Sequence, residues 1–221
     1  MKTTTLKELI LGILILIPVV YLAMQWGNIP EIVPTHWGID GKVNGFSSKN
    51  TLLGLVLGLP ILVYLILRFA PKIDPKKENY AIFGETYYRL RLVLGIFMCF
   101  VIFAILYGSQ HPENNFMSKW VLVGVSLLLA AIGNYLPTLK PNWFAGIRTP
   151  WTLSNEEVWR KTHQFAGKIW FWGGIVSAIL GAILPETYAF YGFLGIVLGI
   201  TLFPIYYSYR VFRKKAEGIE N

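Results

Sequence analysis

Residues 133–163 read GNYLPTLKPNWFAGIRTPWTLSNEEVWRKTH, and they form the longest polar interval between two apolar stretches of the chain. Three prolines between positions 137 and 150 exclude a regular helix from its first part, because proline lacks the backbone N–H that a helix interior needs. Ser154 followed by Glu157 has the spacing of a capping box, which predicts that a helix begins there. We expect this helix to lie along a membrane surface and to continue into the next apolar stretch.

The composition around this interval is that of a membrane protein. Apolar residues make up 54% of the 221 residues and charged residues 14%, and the mean hydropathy is +0.50. A helix that crosses about 30 Å of hydrocarbon needs roughly 17–25 apolar residues. Six intervals meet this requirement, so the predicted fold class is an all-α polytopic membrane protein with six transmembrane helices: residues 9–26, 51–67, 92–108, 120–136, 169–184 and 188–209.

The basic residues are distributed unequally between the two sides of the membrane. Seventeen of the 20 Lys and Arg residues fall on one side of the predicted spans, and only Lys42, Lys49 and Lys119 fall on the other. By the positive-inside rule, both termini and the interval 133–163 are cytoplasmic. The net charge of +8 therefore reports topology, and we predict no direct nucleic acid binding.

The spans divide the chain into three predicted parts. Residues 1–69 form an N-terminal unit of two spans, and residues 70–91 form a basic cytoplasmic connection. Residues 92–221 form a four-span unit that contains the central loop, which we define as residues 137–168.

The predicted outer loop, residues 28–49, joins the first two spans. Its prolines and glycines, with Asp-Gly at 40–41 and Asn-Gly at 44–45, predict a series of tight turns rather than a helix. His36 beside Trp37, followed by Asp40, offers contacts to a polar ligand, and packing of the turns is the alternative explanation. A single histidine without a second one or a cysteine nearby does not predict a metal site.

Two features of the spans bear on packing and function. Small residues spaced four apart predict close contact between helices. No Asp, Glu, Lys, Arg or His lies between the interfaces of the six spans, which disfavours a proton-coupled or ion-coupled carrier. The small-residue sets are Gly54 and Gly58, then Gly173, Ser177 and Gly181, then Gly195 and Gly199.

The central loop also carries reactive side chains. Arg148 has the fork geometry that binds phosphate or carboxylate, and Glu156 or His163 has acid–base capacity, which together would suit an enzyme or carrier that handles lipid head groups. The alternative is that Arg148 contacts lipid phosphates while Trp151 and Trp159 lie at the membrane interface. We find no nucleophile–base pair, so we predict a docking or structural role, no catalytic residue and no cofactor.

Two stretches of the chain resemble a known family. Residues 146–163, preceded by GNYLP at 133–137 and KPN at 140–142, resemble the signature of the SdpI family of bacterial membrane proteins. Residues 33–49, VPTHWGIDGKVNGFSSK, resemble the short domain of unknown function that often begins proteins of that family.

The resemblance implies a function and a location. It implies an integral protein of the bacterial cytoplasmic membrane that gives resistance to a secreted antimicrobial toxin peptide, such as a sporulation-delaying cannibalism toxin. It also implies a signalling receptor that holds a small soluble transcriptional repressor at the membrane. The expected partners are therefore membrane lipids, a toxin peptide and such a repressor. We take as candidate binding residues His36, Trp37 and Asp40 outside the membrane, and Arg148, Thr149, Trp151, Thr152, Glu156, Trp159 and His163 inside.

Overall fold

The structure, a computed structural model, describes residues 2–111 and 116–218. Its helices are α1 (Lys2–Gln25), α2 (Asn50–Leu53), α3 (Leu59–Ile73), α4 (Tyr80–Gln110), α5 (Phe116–Tyr135), α6 (Pro150–Ser154), α7 (Glu156–Ile183) and α8 (Glu186–Ala216). A π-helical turn, Gly54–Gly58, joins α2 to α3. Short 3-10 turns lie at Trp26–Asn28, Lys77–Asn79 and Leu136–Thr138, and two strands, β1 (Ile32–Trp37) and β2 (Val43–Ser48), complete the fold.

The long helices confirm the predicted fold class. Six helical segments within the described residues are long and apolar enough to cross a membrane, and the second of them runs through α2, the π-helical turn and α3. The chain is therefore a multi-pass, largely helical membrane protein. Which end of the bundle faces the cytoplasm remains a prediction.

The outer loop is more regular than its turn residues alone predicted. It folds into an antiparallel hairpin in which Ile32 pairs with Ser48, with irregular register on both sides of His36. The predicted turn at position 40–41 is present, because Gly41 has φ +80° between the two strands. The Asn-Gly pair at 44–45 lies inside β2 instead. A Cβ at Gly45 would stand 2.9 Å from His36 Cβ, so only glycine allows the two strands to approach this closely.

Small residues bring α7 close to its neighbours. A Cβ at Gly174 would stand 2.5 Å from the backbone nitrogen of Ala130, and the Ser126 and Ser177 hydroxyl oxygens are 2.9 Å apart. The predicted packing face on α7 is therefore confirmed, and it extends to Gly174. The prediction was wrong for the other two sets. In the described part of the chain, no atom of another helix lies within 4 Å of a Cβ built at Gly54, Gly58, Gly195 or Gly199.

The first three spans are tied together by an ion cluster at one end. Glu8 in α1 accepts two hydrogen bonds from the guanidinium of Arg91 in α4, at 2.7 and 2.9 Å. The Tyr64 hydroxyl of α3 donates to the same carboxylate at 2.9 Å, and Arg68 Nε lies 3.4 Å from it. Arg68 and Arg91 were counted among the basic residues of the predicted cytoplasmic side, and in the structure both join helices.

The segments predicted to be cytoplasmic meet at this same end. Lys7 near the start of the chain pairs with Glu85 in α4, and Lys215 near the end of α8 pairs with Glu157. The connection, residues 70–91, contacts the central loop, as described below. The hairpin lies near the start of α5 and the turn between α7 and α8, at the other end of the bundle.

Candidate functional site

The central loop begins with a buried asparagine that shapes its first turn. The Asn142 side-chain oxygen accepts from the backbone nitrogens of Phe144 and Ala145, at 2.9 and 2.7 Å. Its side-chain nitrogen donates to the carbonyls of Lys140 and Ala145, at 2.9 and 3.0 Å. One side chain thus makes four hydrogen bonds to backbone groups in a segment without regular structure. Asn142 was part of the family motif, but the sequence alone did not assign it this role.

The helix starts differ from those predicted. Ser154 ends α6, and α7 is capped by Asn155, whose side-chain oxygen accepts from the nitrogens of Glu157 and Val158 at 3.0 and 3.2 Å. The capping box predicted at Ser154 is therefore wrong. The segment predicted as a surface helix forms the first turns of α7, which runs on without interruption into the fifth span.

A capping box is present one helix earlier, at α6. Thr149 Oγ1 accepts from the nitrogen of Thr152 at 3.2 Å, and Thr152 Oγ1 accepts from the nitrogen of Thr149 at 2.9 Å. Thr149 Oγ1 also lies 3.1 Å from Ser208 Oγ in α8. Both threonines are buried, so these two candidate residues fix α6 and fasten it to the last span.

His163 organises the middle of the loop. Its Nε2 accepts from the backbone nitrogen of Ile147 at 2.9 Å, and its Nδ1 lies 2.8 Å from the carbonyl of Trp159. These two bonds require a neutral ring with its proton on Nδ1. Gly146, with φ +106°, makes room for the ring, because a Cβ there would stand 2.3 Å from Nε2. His163 is fully buried and both of its nitrogens are occupied.

Trp159 stacks on this histidine. The two rings are 4.0 Å apart with an interplanar angle of 20°, and Trp159 Nε1 donates to the carbonyl of Leu139 at 2.8 Å. Only 1% of Trp159 is exposed. The interpretation of Trp159 as a residue of the membrane interface is therefore wrong, because it belongs to the core that joins the loop to α7. That core also contains Tyr80, Phe83, Tyr87, Leu90, Leu136, Leu139 and Ala166.

A buried carboxylate outside the family motif holds the loop against the connection. Asp74, 2% exposed, accepts from the backbone nitrogens of Trp143 and Lys76, at 2.9 and 2.7 Å, and from the Tyr80 hydroxyl at 2.9 Å. Asn79 Nδ2 adds a bond of 2.7 Å to the carbonyl of Pro141. A buried carboxylate is stable only when donors surround it, and Asp74 has three. The local sequence around Asp74 did not predict this role.

The remaining candidates of the central loop are accessible. Arg148 is exposed and donates from Nη1 to the carbonyl of Trp143 at 2.5 Å, while Glu156 is exposed at the start of α7. Trp151 is half-buried and its ring lies 5.2 Å from that of Tyr209 in α8. Arg148, Trp151 and Glu156 are thus the predicted residues that a partner could contact, and we call them the accessible set.

The three candidates of the outer loop make different contacts. His36 is exposed near the end of β1 and its Nδ1 pairs with the side-chain oxygen of Asn44. Asp40 lies in the turn, where its Oδ1 accepts from the nitrogen of Lys42 at 3.2 Å. His36 and Trp37 border a cavity under the hairpin, whereas Asp40 shapes the turn.

The chemistry available at these sites is limited. Within residues 2–111 and 116–218, no group of three or more His, Cys, Asp or Glu side chains is arranged to hold a metal ion. His163 has no nitrogen left for proton transfer, and Glu157, next to Glu156, is paired with Lys161 at 3.2 Å and with Lys215. The arrangement therefore favours binding by exposed charges and aromatic rings over acid–base catalysis.

Comparison with known proteins bears out the resemblance. The sequence model of the SdpI/YfhL protein family matches residues 138–208, and that of a domain of unknown function, DUF1648, matches residues 13–62. The Immunity protein SdpI of Bacillus subtilis (strain 168) is 23% identical over 180 residues, which cover 81% of this chain and 84% of the relative. No solved structure matches the chain. With the six long helices, these matches support a multi-pass membrane protein of a bacterium.

Proposed function

We propose that this chain, which carries an SdpI/YfhL region at residues 138–208, is an integral membrane immunity protein against a secreted antimicrobial toxin peptide. The observation that carries the proposal is the similarity to Immunity protein SdpI, which extends over 81% of the chain and 84% of that relative. A similarity confined to one short segment would support a shared module, whereas one of this extent supports a shared task.

The architecture is compatible with this task. A hairpin at one end of the bundle gives an ordered surface to a peptide that arrives from outside. The opposite end has a loop in which the buried side chains of Asn142, Thr152 and His163 are hydrogen-bonded, which gives an ordered platform for the accessible set.

The test is survival of a toxin-sensitive strain that expresses the protein. Cells that express the chain, cells with an empty vector and cells that express Gly146→Ala, which disturbs the loop, are challenged with a panel of secreted toxin peptides that includes a cannibalism toxin. We expect protection against at least one peptide, lost with the empty vector. Equal killing of expressing cells and empty-vector cells by every peptide, with insertion verified, would refute the proposal.

We further propose that the accessible set docks a small soluble transcriptional repressor. Arg148 offers an exposed guanidinium and Trp151 offers part of an indole, which are side chains enriched at protein interfaces, and Glu156 adds an exposed carboxylate. Trp143 and Phe144, 48% and 36% exposed, extend this surface with two further aromatic rings. The buried candidates support the surface without contacting a partner.

The docking test compares two exposed arginines. Arg148→Ala removes a member of the accessible set, whereas Arg160→Ala removes an equally charged side chain from the exposed face of α7. Membrane recruitment of a fluorescently labelled small soluble repressor from the same bacterium is expected to fall in Arg148→Ala and to persist in Arg160→Ala. Recruitment that is equal in both variants would contradict docking at the accessible set.

An enzyme or carrier of lipid head groups is the alternative function. It would require Arg148, Glu156 and His163 to act together on one substrate. The full burial of His163 and its two hydrogen bonds oppose that role, and we infer that the protein does not act by catalysis.

A further inference from the structure

An apolar cavity of about 350 Å³ lies at the hairpin end of the bundle. Residues 35–39, which end β1 and begin the turn, form one wall, and the first turns of α5 and α8 with the last turns of α7 form the others. Its apolar side chains include Trp37, Ile39, Val125, Phe190 and Phe193. A concave, mostly apolar space with a few polar groups has the character of a ligand site rather than of a packing defect.

Two opposite charges border the same cavity. Lys119 near the start of α5 and Glu186 at the start of α8 both contribute to its lining. In the part of the chain that the structure describes, neither side chain forms a salt bridge or a hydrogen bond. A cavity with an ammonium group and a carboxylate at its border is complementary to a ligand that is apolar and carries both signs of charge.

We propose that this cavity binds an apolar segment of a peptide, with Lys119 receiving a carboxylate and Glu186 an ammonium group. The inference rests on the proposed function, because it assigns the recognition of the toxin peptide to this cavity. Five consecutive residues of the extramembrane hairpin line the cavity, so a peptide in the aqueous phase reaches it without first crossing the bilayer. The hydrocarbon chain of a lipid would fill only the apolar part, and both charges would then need a zwitterionic head group, so a phospholipid is the competing occupant that the experiments below distinguish.

The first test fills the cavity. Val125→Trp adds an indole on the cavity wall, and Leu127→Trp adds the same group two residues away on the same helix, where Leu127 is 48% exposed. The probe is trileucine with free termini, titrated calorimetrically into the full chain in detergent micelles. We expect saturable binding to the wild type and to Leu127→Trp, and at least a tenfold loss of affinity in Val125→Trp.

A second cavity-filling variant controls for misfolding of the first. Ile39→Trp acts from the hairpin, outside the helical bundle, and is expected to lower trileucine affinity as Val125→Trp does. Absence of saturable binding to the wild type, or equal affinity in the wild type and a folded filling variant, would overturn the proposal.

The charges are tested with matched ligands. Trileucine amide lacks the carboxylate, and N-acetyl trileucine lacks the ammonium group. We expect Lys119→Gln to lower the affinity for trileucine several-fold and to leave the affinity for the amide unchanged. Glu186→Gln should likewise lower the affinity for trileucine and leave the affinity for N-acetyl trileucine unchanged. If both substitutions weaken the charged and the neutralised ligands equally, the assigned contacts are wrong.

Two further measurements distinguish peptide binding at the cavity from lipid binding and from the proposed immunity function. A phospholipid that stays bound to the wild type in native mass spectrometry, is lost in Val125→Trp and resists displacement by trileucine would overturn the peptide proposal. Toxin protection that persists in a folded Val125→Trp variant would separate immunity from the cavity and overturn the assignment. If the wild type binds trileucine but protects against no toxin, the proposed function fails while peptide binding at the cavity stands.

Discussion

A single methyl group at Gly146 would test the arrangement of the central loop. The φ of this residue is +106°, in the left-handed region where a side chain costs about 1–2 kcal/mol. The added Cβ would stand 2.3 Å from His163 Nε2, so the ring has to move. The nitrogen of Ile147 then loses its acceptor, which costs about 1–3 kcal/mol. Gly146→Ala is therefore expected to lower the free energy of unfolding by about 2–5 kcal/mol.

The assay is equilibrium unfolding of the purified protein in detergent, followed by tryptophan fluorescence because Trp159 stacks on the ring that moves. Gly84→Ala is the matched control. Gly84 lies within α4, and among the described residues nothing lies within 4 Å of a Cβ built there. Alanine at that position is expected to leave stability unchanged or to raise it by up to about 1 kcal/mol.

A double-mutant cycle isolates the clash from the backbone strain. In a His163→Ala background the methyl group at Gly146 meets no imidazole, so its cost should fall to the strain of about 1–2 kcal/mol. An identical cost of Gly146→Ala in both backgrounds, or a cost below about 1 kcal/mol in the wild type, would refute the proposed role of this contact.

Three further substitutions test other contacts by the same unfolding assay. Asp74→Asn places an amide nitrogen among three hydrogen-bond donors and is expected to lower the free energy of unfolding by about 2–3 kcal/mol. It should also make the central loop more sensitive to protease. Glu8→Gln leaves the buried Arg91 without its carboxylate and should lower the free energy of unfolding by about 2–3 kcal/mol. Glu85→Gln, which removes an exposed ion pair, should cause no measurable loss of stability. Gly174→Ala forces α7 away from the backbone of α5 and should prevent stable folding, whereas Gly195→Ala should be tolerated; the reverse order would contradict the packing described here.

The parts of the structure that depend on local composition were predictable. Six apolar intervals predicted six long helices, because the thickness of a bilayer sets the length of a span. The alternation of basic residues predicted that the termini, the connection and the central loop belong to one end, and their contacts agree with that grouping. The motif at residues 146–163 was sufficient to predict the family resemblance.

The parts that depend on distant contacts were not predictable. Ser154 matched the capping-box pattern, yet it lies within α6, because Thr149 caps that helix and contacts Ser208, while Asn155 caps α7. Asp74 stands in a basic run and looks like a solvated acid. Its burial requires Trp143, 69 positions later, to supply a donor. Glycine spacing in turn cannot distinguish the α7 face, which packs on α5, from Gly195, which meets no other helix in the described structure.

The most direct test of the immunity proposal needs no knowledge of the toxin. The gene is deleted in its own bacterium, and the deletion strain is grown beside the wild type and in the wild type's cell-free culture medium. We predict that the deletion strain is killed or inhibited, and that the wild-type gene restores growth while a gene with Gly146→Ala restores it less. Equal growth of the deletion strain and the wild type under conditions in which the wild type kills sensitive neighbours would contradict a role in immunity.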